Sequence, residues 1–71
     1  MSDIELPNQI PVNLSNIRKR LRYTQREVAK MVGLHPNYYA KVERGDSVPS
    51  LKTLSKIAKA LDVSITDIVG Y

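Results

Sequence analysis

Thr24-Gln25-Arg26-Glu27-Val28-Ala29-Lys30-Met31-Val32-Gly33-Leu34-His35-Pro36-Asn37-Tyr38-Tyr39-Ala40-Lys41-Val42-Glu43-Arg44-Gly45 is the stretch on which the fold turns. Its first four residues spell a capping box, in which the threonine hydroxyl accepts from the Glu27 amide and the glutamate reaches back to the threonine amide. Val28, Ala29 and Val32 then share one helical face. Gly33 ends that helix, because the position after a helix favours a left-handed conformation that glycine adopts without steric cost. A second helix opens at Pro36. Proline suits the first helical position and pushes His35 toward the extended dihedrals of an N-cap. Gly45 closes this helix as Gly33 closed the one before.

Only three residues separate Val32 from Pro36. Two helices joined so tightly cross steeply, which is helix-turn-helix geometry. Outward from this pair the chain continues as helices. Residues 13–21 carry Leu14, Ile17 and Leu21 on one stripe, with Asn13 placed to cap. Another helix follows Ser50, with Leu51, Leu54, Ile57, Ala58 and Leu61 at the 3.6-residue period. A last one follows Ser64, where Ser64-Ile65-Thr66-Asp67 resembles a capping box and Ile65, Ile68 and Val69 face inward. Residues 1–12 contain Pro7 and Pro11 and no helical period, so they read as an extended N-terminal arm. Its charges are Asp3 and Glu5, which does not suit a grip on DNA. The expectation is an all-α, five-helix domain over residues 13–71 behind that arm.

The whole chain has 71 residues, enough for one domain with a modest core. It has no cysteine, which removes disulfides, thiolate metal sites and a cysteine nucleophile. No apolar run is long enough to cross a bilayer, and the start lacks a signal-peptide pattern, so a soluble cytoplasmic protein is expected. No paired acid and base, activated nucleophile, glycine-rich phosphate loop or metal-ligand cluster is present, so an enzyme is not expected, nor a metal, cofactor or small-molecule ligand. The net charge is +4. It is concentrated: Arg18, Lys19, Arg20, Arg22, Arg26 and Lys30 face Glu27 alone within residues 17–30. A polyanion partner and an ordinary solvated helix face explain such a stretch equally well.

The helix from Pro36 to Arg44 separates into two faces at about 100° per residue. Val42, Glu43 and Pro36 lie within about 60° of Tyr39, and this arc faces the core. Asn37, Lys41 and Arg44 lie about 140–200° away and face outward, with Ala40 and Tyr38 on the flanks. An amide, two cations, a small apolar group and a phenol, with no carboxylate among them, suit base edges and phosphates. Taken alone, that face reads equally as polar surface. The short turn and the glycine pair decide for recognition. Tyr23 and Tyr39 read as core, and Met31, on the outer side of its helix, has no assigned role.

With these residues the sequence resembles the lambda-repressor-like, Cro/cI-type or XRE, helix-turn-helix family. The likeness is carried by Thr24-Gln25-Arg26-Glu27-Val28-Ala29, Val32-Gly33-Leu34 and Tyr38-Tyr39-Ala40-Lys41-Val42-Glu43-Arg44-Gly45. It continues through Pro49-Ser50-Leu51-Lys52-Thr53-Leu54, Ile57-Ala58-Lys59-Ala60-Leu61 and Val63-Ser64-Ile65-Thr66-Asp67-Ile68-Val69. The resemblance implies a phosphate contact for Gln25, at a helix start with free amides. It implies base reading by Asn37 and Lys41, and a backbone contact for Arg44. It also implies an ion pair between Arg18 and Glu43 that fixes the angle of the reading helix. A carboxylate on the inward arc requires such a partner.

Three departures modify this picture. Pro36 replaces a base-reading amide, which leaves it, with Ala40, only apolar contact to a thymine methyl. His35 replaces the usual Ser or Thr cap, so it reads as a cap or phosphate contact. The loop Asp46-Ser47-Val48 lacks basic residues, so either the phosphate contacts shift to Tyr38, Ser47 and Lys52, with Arg26 beside Gln25, or each monomer binds weakly. Together these features imply a sequence-specific transcriptional regulator that binds a palindromic site in double-stranded DNA as a homodimer. The dimer contact is expected at Val69 and Tyr71. The competing function is a protein-binding module of the same fold, of antitoxin or coactivator type.

Overall fold

The computed structural model describes residues 9–70, so residues 1–8 of the expected arm and Tyr71 lie outside the described residues. Five helices follow one another: α1 (Ile10–Arg20), α2 (Gln25–Val32), α3 (Pro36–Arg44), α4 (Leu51–Leu61) and α5 (Ile65–Val69). Four of them begin where the caps predict. Thr24 Oγ1 accepts the Glu27 amide at 3.0 Å, and the Glu27 carboxylate accepts the Thr24 amide at 2.8 Å. Ser50 caps α4 through the Thr53 amide at 3.1 Å. Ser64 and Asp67 form the capping box of α5 with both bonds at 3.0 Å.

Helix α1 departs from expectation. It starts at Ile10, three residues early, with Gln9 at the N-cap position and no side-chain cap bond. Pro11 is the reason. In the first turn its missing N–H is one that no helical carbonyl would accept, so proline continues the helix there and does not end it. Asn13 is therefore inside α1 and does not cap its start. Its Nδ2 donates to the Ile68 carbonyl at 2.9 Å and ties α1 to the end of α5.

Each helix contributes to one core. Leu14 and Ile17 of α1, Val28 and Ala29 of α2, Tyr39 and Val42 of α3, Leu54, Ile57, Ala58 and Leu61 of α4, and Ile68 of α5 are buried. Burial of one side chain as large as Leu14 or Ile57 is worth roughly 1.5–3 kcal/mol. α2 packs on α3 and α4, α1 packs on α3 and α5, and α4 meets α5. Leu21 and Leu51 do not join the core, against the reading of their periods. Leu21 stands at the C-cap of α1 and Leu51 at the first position of α4, and they are 43% and 68% exposed. At the ends of short helices the period continues in sequence after the packing partner has stopped. No helix among the described residues is long and apolar enough to cross a membrane.

Candidate nucleic-acid interface

Helix α3 is fixed at both ends and along its inner side. At its start the exposed His35 ring accepts the Asn37 amide through Nδ1 at 3.1 Å. At its end Gly45 takes φ +82°. The Gly45 amide bonds the Val42 carbonyl and the Asp46 amide bonds the Lys41 carbonyl, closing the last turn. Along the inner side Tyr39 and Val42 have no exposure at all.

Glu43 completes this fixation. Arg18 grips it as a fork, with Nε to Oε2 at 2.7 Å and Nη2 to Oε1 at 2.9 Å. The third guanidinium branch, Nη1, donates to the Tyr23 carbonyl at 2.9 Å, so one side chain pins α1, the turn before α2 and α3 together. The side chains of Arg18 and Glu43 are only 12% and 3% exposed. Burial pushes the Glu43 carboxyl up, but the donors from Arg18 and Gln25 and the Arg18 charge outweigh it and hold the group below its ordinary value. Burial, and then the neighbouring carboxylate, push the Tyr39 phenol far above its usual range. Among the described residues the Tyr39 hydroxyl is the buried side-chain polar atom without a hydrogen-bond partner. Such a fork fixes geometry more than it adds net stability, because two charges lose their water.

The opposite face of α3 is open. Asn37, Lys41 and Arg44 are exposed, with Pro36, Tyr38 and Ala40 half-buried beside them. Tyr38 is half-buried and packs partly against the core. Arg44 Nε donates to Asp46 Oδ2 at 3.0 Å across open surface, a pair worth at most about 1 kcal/mol.

The remaining predicted contacts sit at helix starts and in the α3–α4 loop. Gln25 and Arg26 occupy the first two positions of α2, where backbone amides have no helical acceptor. Arg26 is exposed and Gln25 half-buried. Gln25 Nε2 donates to Glu43 Oε1 at 3.0 Å, a bond that no local sequence signal marks. Ser47 is half-buried and Lys52, at the second position of α4, is exposed. Val69 is half-buried and packs against the core. Val48 in the α3–α4 loop and Leu51 at the start of α4 are large apolar side chains left 76% and 68% exposed. The exposure of Val48 was legible in its loop position, whereas Leu51 was hidden by its fit to the helical period.

Comparison with known proteins agrees with this geometry. Residues 14–68 match a family model described as helix-turn-helix. The chain is 37% identical over 62 residues to the cryptic phage CTXphi transcriptional repressor RstR of Vibrio cholerae, covering 87% of this chain and 55% of the relative. It is 41% identical over 54 residues to the immunity repressor protein of Bacillus phage phi105, covering 76% of this chain and 38% of the relative. The chain thus spans about half or less of the length of these two relatives. Among solved structures it resembles the restriction-modification controller protein C.AhdI of Aeromonas hydrophila, with a TM-score of 0.82 and 30% identity. That match covers 86% of this chain and 92% of the other. The match of a family model across most of the chain, together with the likeness to a solved structure of the same fold, shows that this protein belongs to the helix-turn-helix family of the lambda-repressor-like, XRE type.

Proposed function

We propose that this protein is a sequence-specific DNA-binding transcriptional regulator of the cytoplasm that lays α3 in the major groove. The observation that carries this reading is the division of α3. Its inner side is immobilised by Tyr39, Val42 and the Arg18–Glu43 fork, and its outer side presents Asn37 and Lys41 to solvent. An amide in that position pairs bidentately with adenine and a lysine reaches guanine. Pro36 and Ala40 meet thymine methyls. The free amides at the start of α2, with Gln25 and Arg26, and the side chains of His35, Tyr38, Arg44, Ser47 and Lys52 hold phosphates on either side. The names of the relatives, repressors of phage origin, support the regulatory role.

One such domain covers a half-site, and useful specificity comes from two copies on a palindromic operator with reading helices one DNA turn apart, ~34 Å. The end of α5, with Val69 and the terminal Tyr71, supplies the contact between copies. Selection of bound sites from a random DNA pool tests the proposal and is expected to return an inverted repeat. Affinity for any duplex is expected to fall steeply as salt rises, by counterion release. Failure to enrich any site, with negligible affinity at every salt concentration, would favour the protein-binding module instead.

A further inference from the structure

We propose that Glu43 is a positioning residue for the phosphate grip as well as for the reading helix: its carboxylate holds the Gln25 side-chain amide in register with α3. The inference rests on the DNA-binding reading above and adds a link between two contacts that the sequence treats as separate.

Three observations carry it. Glu43 Oε1 accepts from Arg18 Nη2 at 2.9 Å and from Gln25 Nε2 at 3.0 Å, so one oxygen joins α1, α2 and α3. The direction of the Gln25 bond is forced, because an ionised carboxylate has nothing to donate and only the amide nitrogen of Gln25 can face it. Glu43 itself does not wander, since the Arg18 fork holds both of its oxygens at 3% side-chain exposure. A free glutamine on a helix surface must be ordered when it meets a phosphate, and that ordering weakens the contact. Here the ordering is done before DNA arrives. The amide nitrogen carries two hydrogens and Glu43 takes one. The second remains for a phosphate oxygen, alongside the backbone amides of Gln25 and Arg26. The backbone grip at the start of α2 and the pose of Asn37 and Lys41 on α3 are then set by the same carboxylate. A phosphate seated at Gln25 is in register with bases beneath α3 only while that link holds.

The experiment is a cycle of substitutions read on affinity for a nonspecific duplex at fixed salt. In the wild-type background Gln25→Ala is expected to weaken binding roughly tenfold, the size of one charge-assisted hydrogen bond. In an Arg18→Met, Glu43→Leu background the buried charges are replaced together by apolar groups, a change that proteins commonly tolerate. There Gln25→Ala is expected to cost almost nothing. In an Arg18→Met, Glu43→Gln background an acceptor returns without the charge, and the Gln25→Ala penalty is expected to return with it. A structural role alone does not distinguish these two backgrounds. An equal penalty in all three would overturn the positioning role while leaving DNA binding intact. No penalty even in the wild type would instead remove Gln25 from the phosphate grip and so weaken the reading beneath. Should the apolar background fail to fold, NMR of the wild-type side chain decides. One Gln25 Nε2 proton is expected to exchange slowly and stay in place when duplex is added, while the other shifts. Two protons that both exchange fast, with neither protected before or after duplex is added, would contradict the proposal.

Discussion

The turn between α2 and α3 and the turn between α4 and α5 are nearly the same object. Each begins with a left-handed residue, Gly33 at φ +72° or Asp62 at φ +56°. Each continues with a half-buried apolar residue, Leu34 or Val63, whose amide bonds back to the preceding helix. Leu34 reaches the Ala29 carbonyl at 2.8 Å and Val63 the Ala58 carbonyl at 3.0 Å. Each ends on an extended N-cap, His35 or Ser64. Yet the helices they launch differ in use. α3 runs nine residues and is clamped by Arg18 and Glu43, with its amide and cations outward. α5 runs five residues, buries Ile68, and spends its one charge, Asp67, on its own capping box. The turn aims a helix, while the clamp and the outer chemistry are what the proposed reading role requires. The same comparison explains why a short, steep turn is poor evidence of recognition when it stands alone.

The largest expected effect comes from taking from α3 the clamp that α5 never had. Glu43→Leu alone leaves the Arg18 guanidinium buried without its carboxylate, and a loss of about 3–5 kcal/mol is expected by urea denaturation. That is a large share of the stability of a domain of this size. A loss below about 1 kcal/mol would mean that the clamp is slack. Acid acts on the same bond. Glu43 is held below its ordinary value of 4.5 in the folded protein, so its contribution is complete above that value and disappears as pH falls through the lower folded value. Asp67 is lowered by its bonds to Ser64 and adds to the same acid limb. Thermal melts from neutral pH downward are expected to hold level and then drop below about pH 4.5, with a shallower drop in the Arg18→Met, Glu43→Leu variant. An identical drop in that variant would assign the acid sensitivity elsewhere.

The two turns themselves give the smaller effects. An added methyl at Gly33 meets no atom within 4 Å, so Gly33→Ala tests backbone strain alone and is expected to cost about 1–2 kcal/mol. Asp62→Gly relieves the corresponding strain at the other turn. It is expected to stabilise by at most about 1 kcal/mol, because glycine also loosens the unfolded chain. Opposite signs in urea denaturation would show that the turns are one design with two residue choices. Equal destabilisation would show that Asp62 has a role besides its dihedral.

Much of this arrangement was legible before the structure. Thr24, Pro36, Ser50 and Ser64 mark helix starts because caps and proline act locally, through bonds within four residues. The two faces of α3 follow from its period and from two glycines whose left-handed positions no competing signal obscures. What was not legible depends on distant or conformational context. Arg22 and Asp62 take φ +66° and +56° where glycine would be the signal, so two of the turns gave no mark. Pro11 looked like a break because its place within the first turn of α1 depends on where α1 begins. The Gln25–Glu43 bond joins residues 18 apart, and no local rule connects an N-terminal glutamine to a carboxylate on the next helix.

The most direct measurement of the central claim is the affinity of Asn37→Ala for a selected operator and for a scrambled duplex of equal length, at one salt concentration. Removal of a base-reading amide from the outer face of α3 predicts a loss of about 1–3 kcal/mol on the operator, none on the scrambled duplex, and an unchanged melting temperature. An equal loss on both duplexes, or none on the operator, would contradict it.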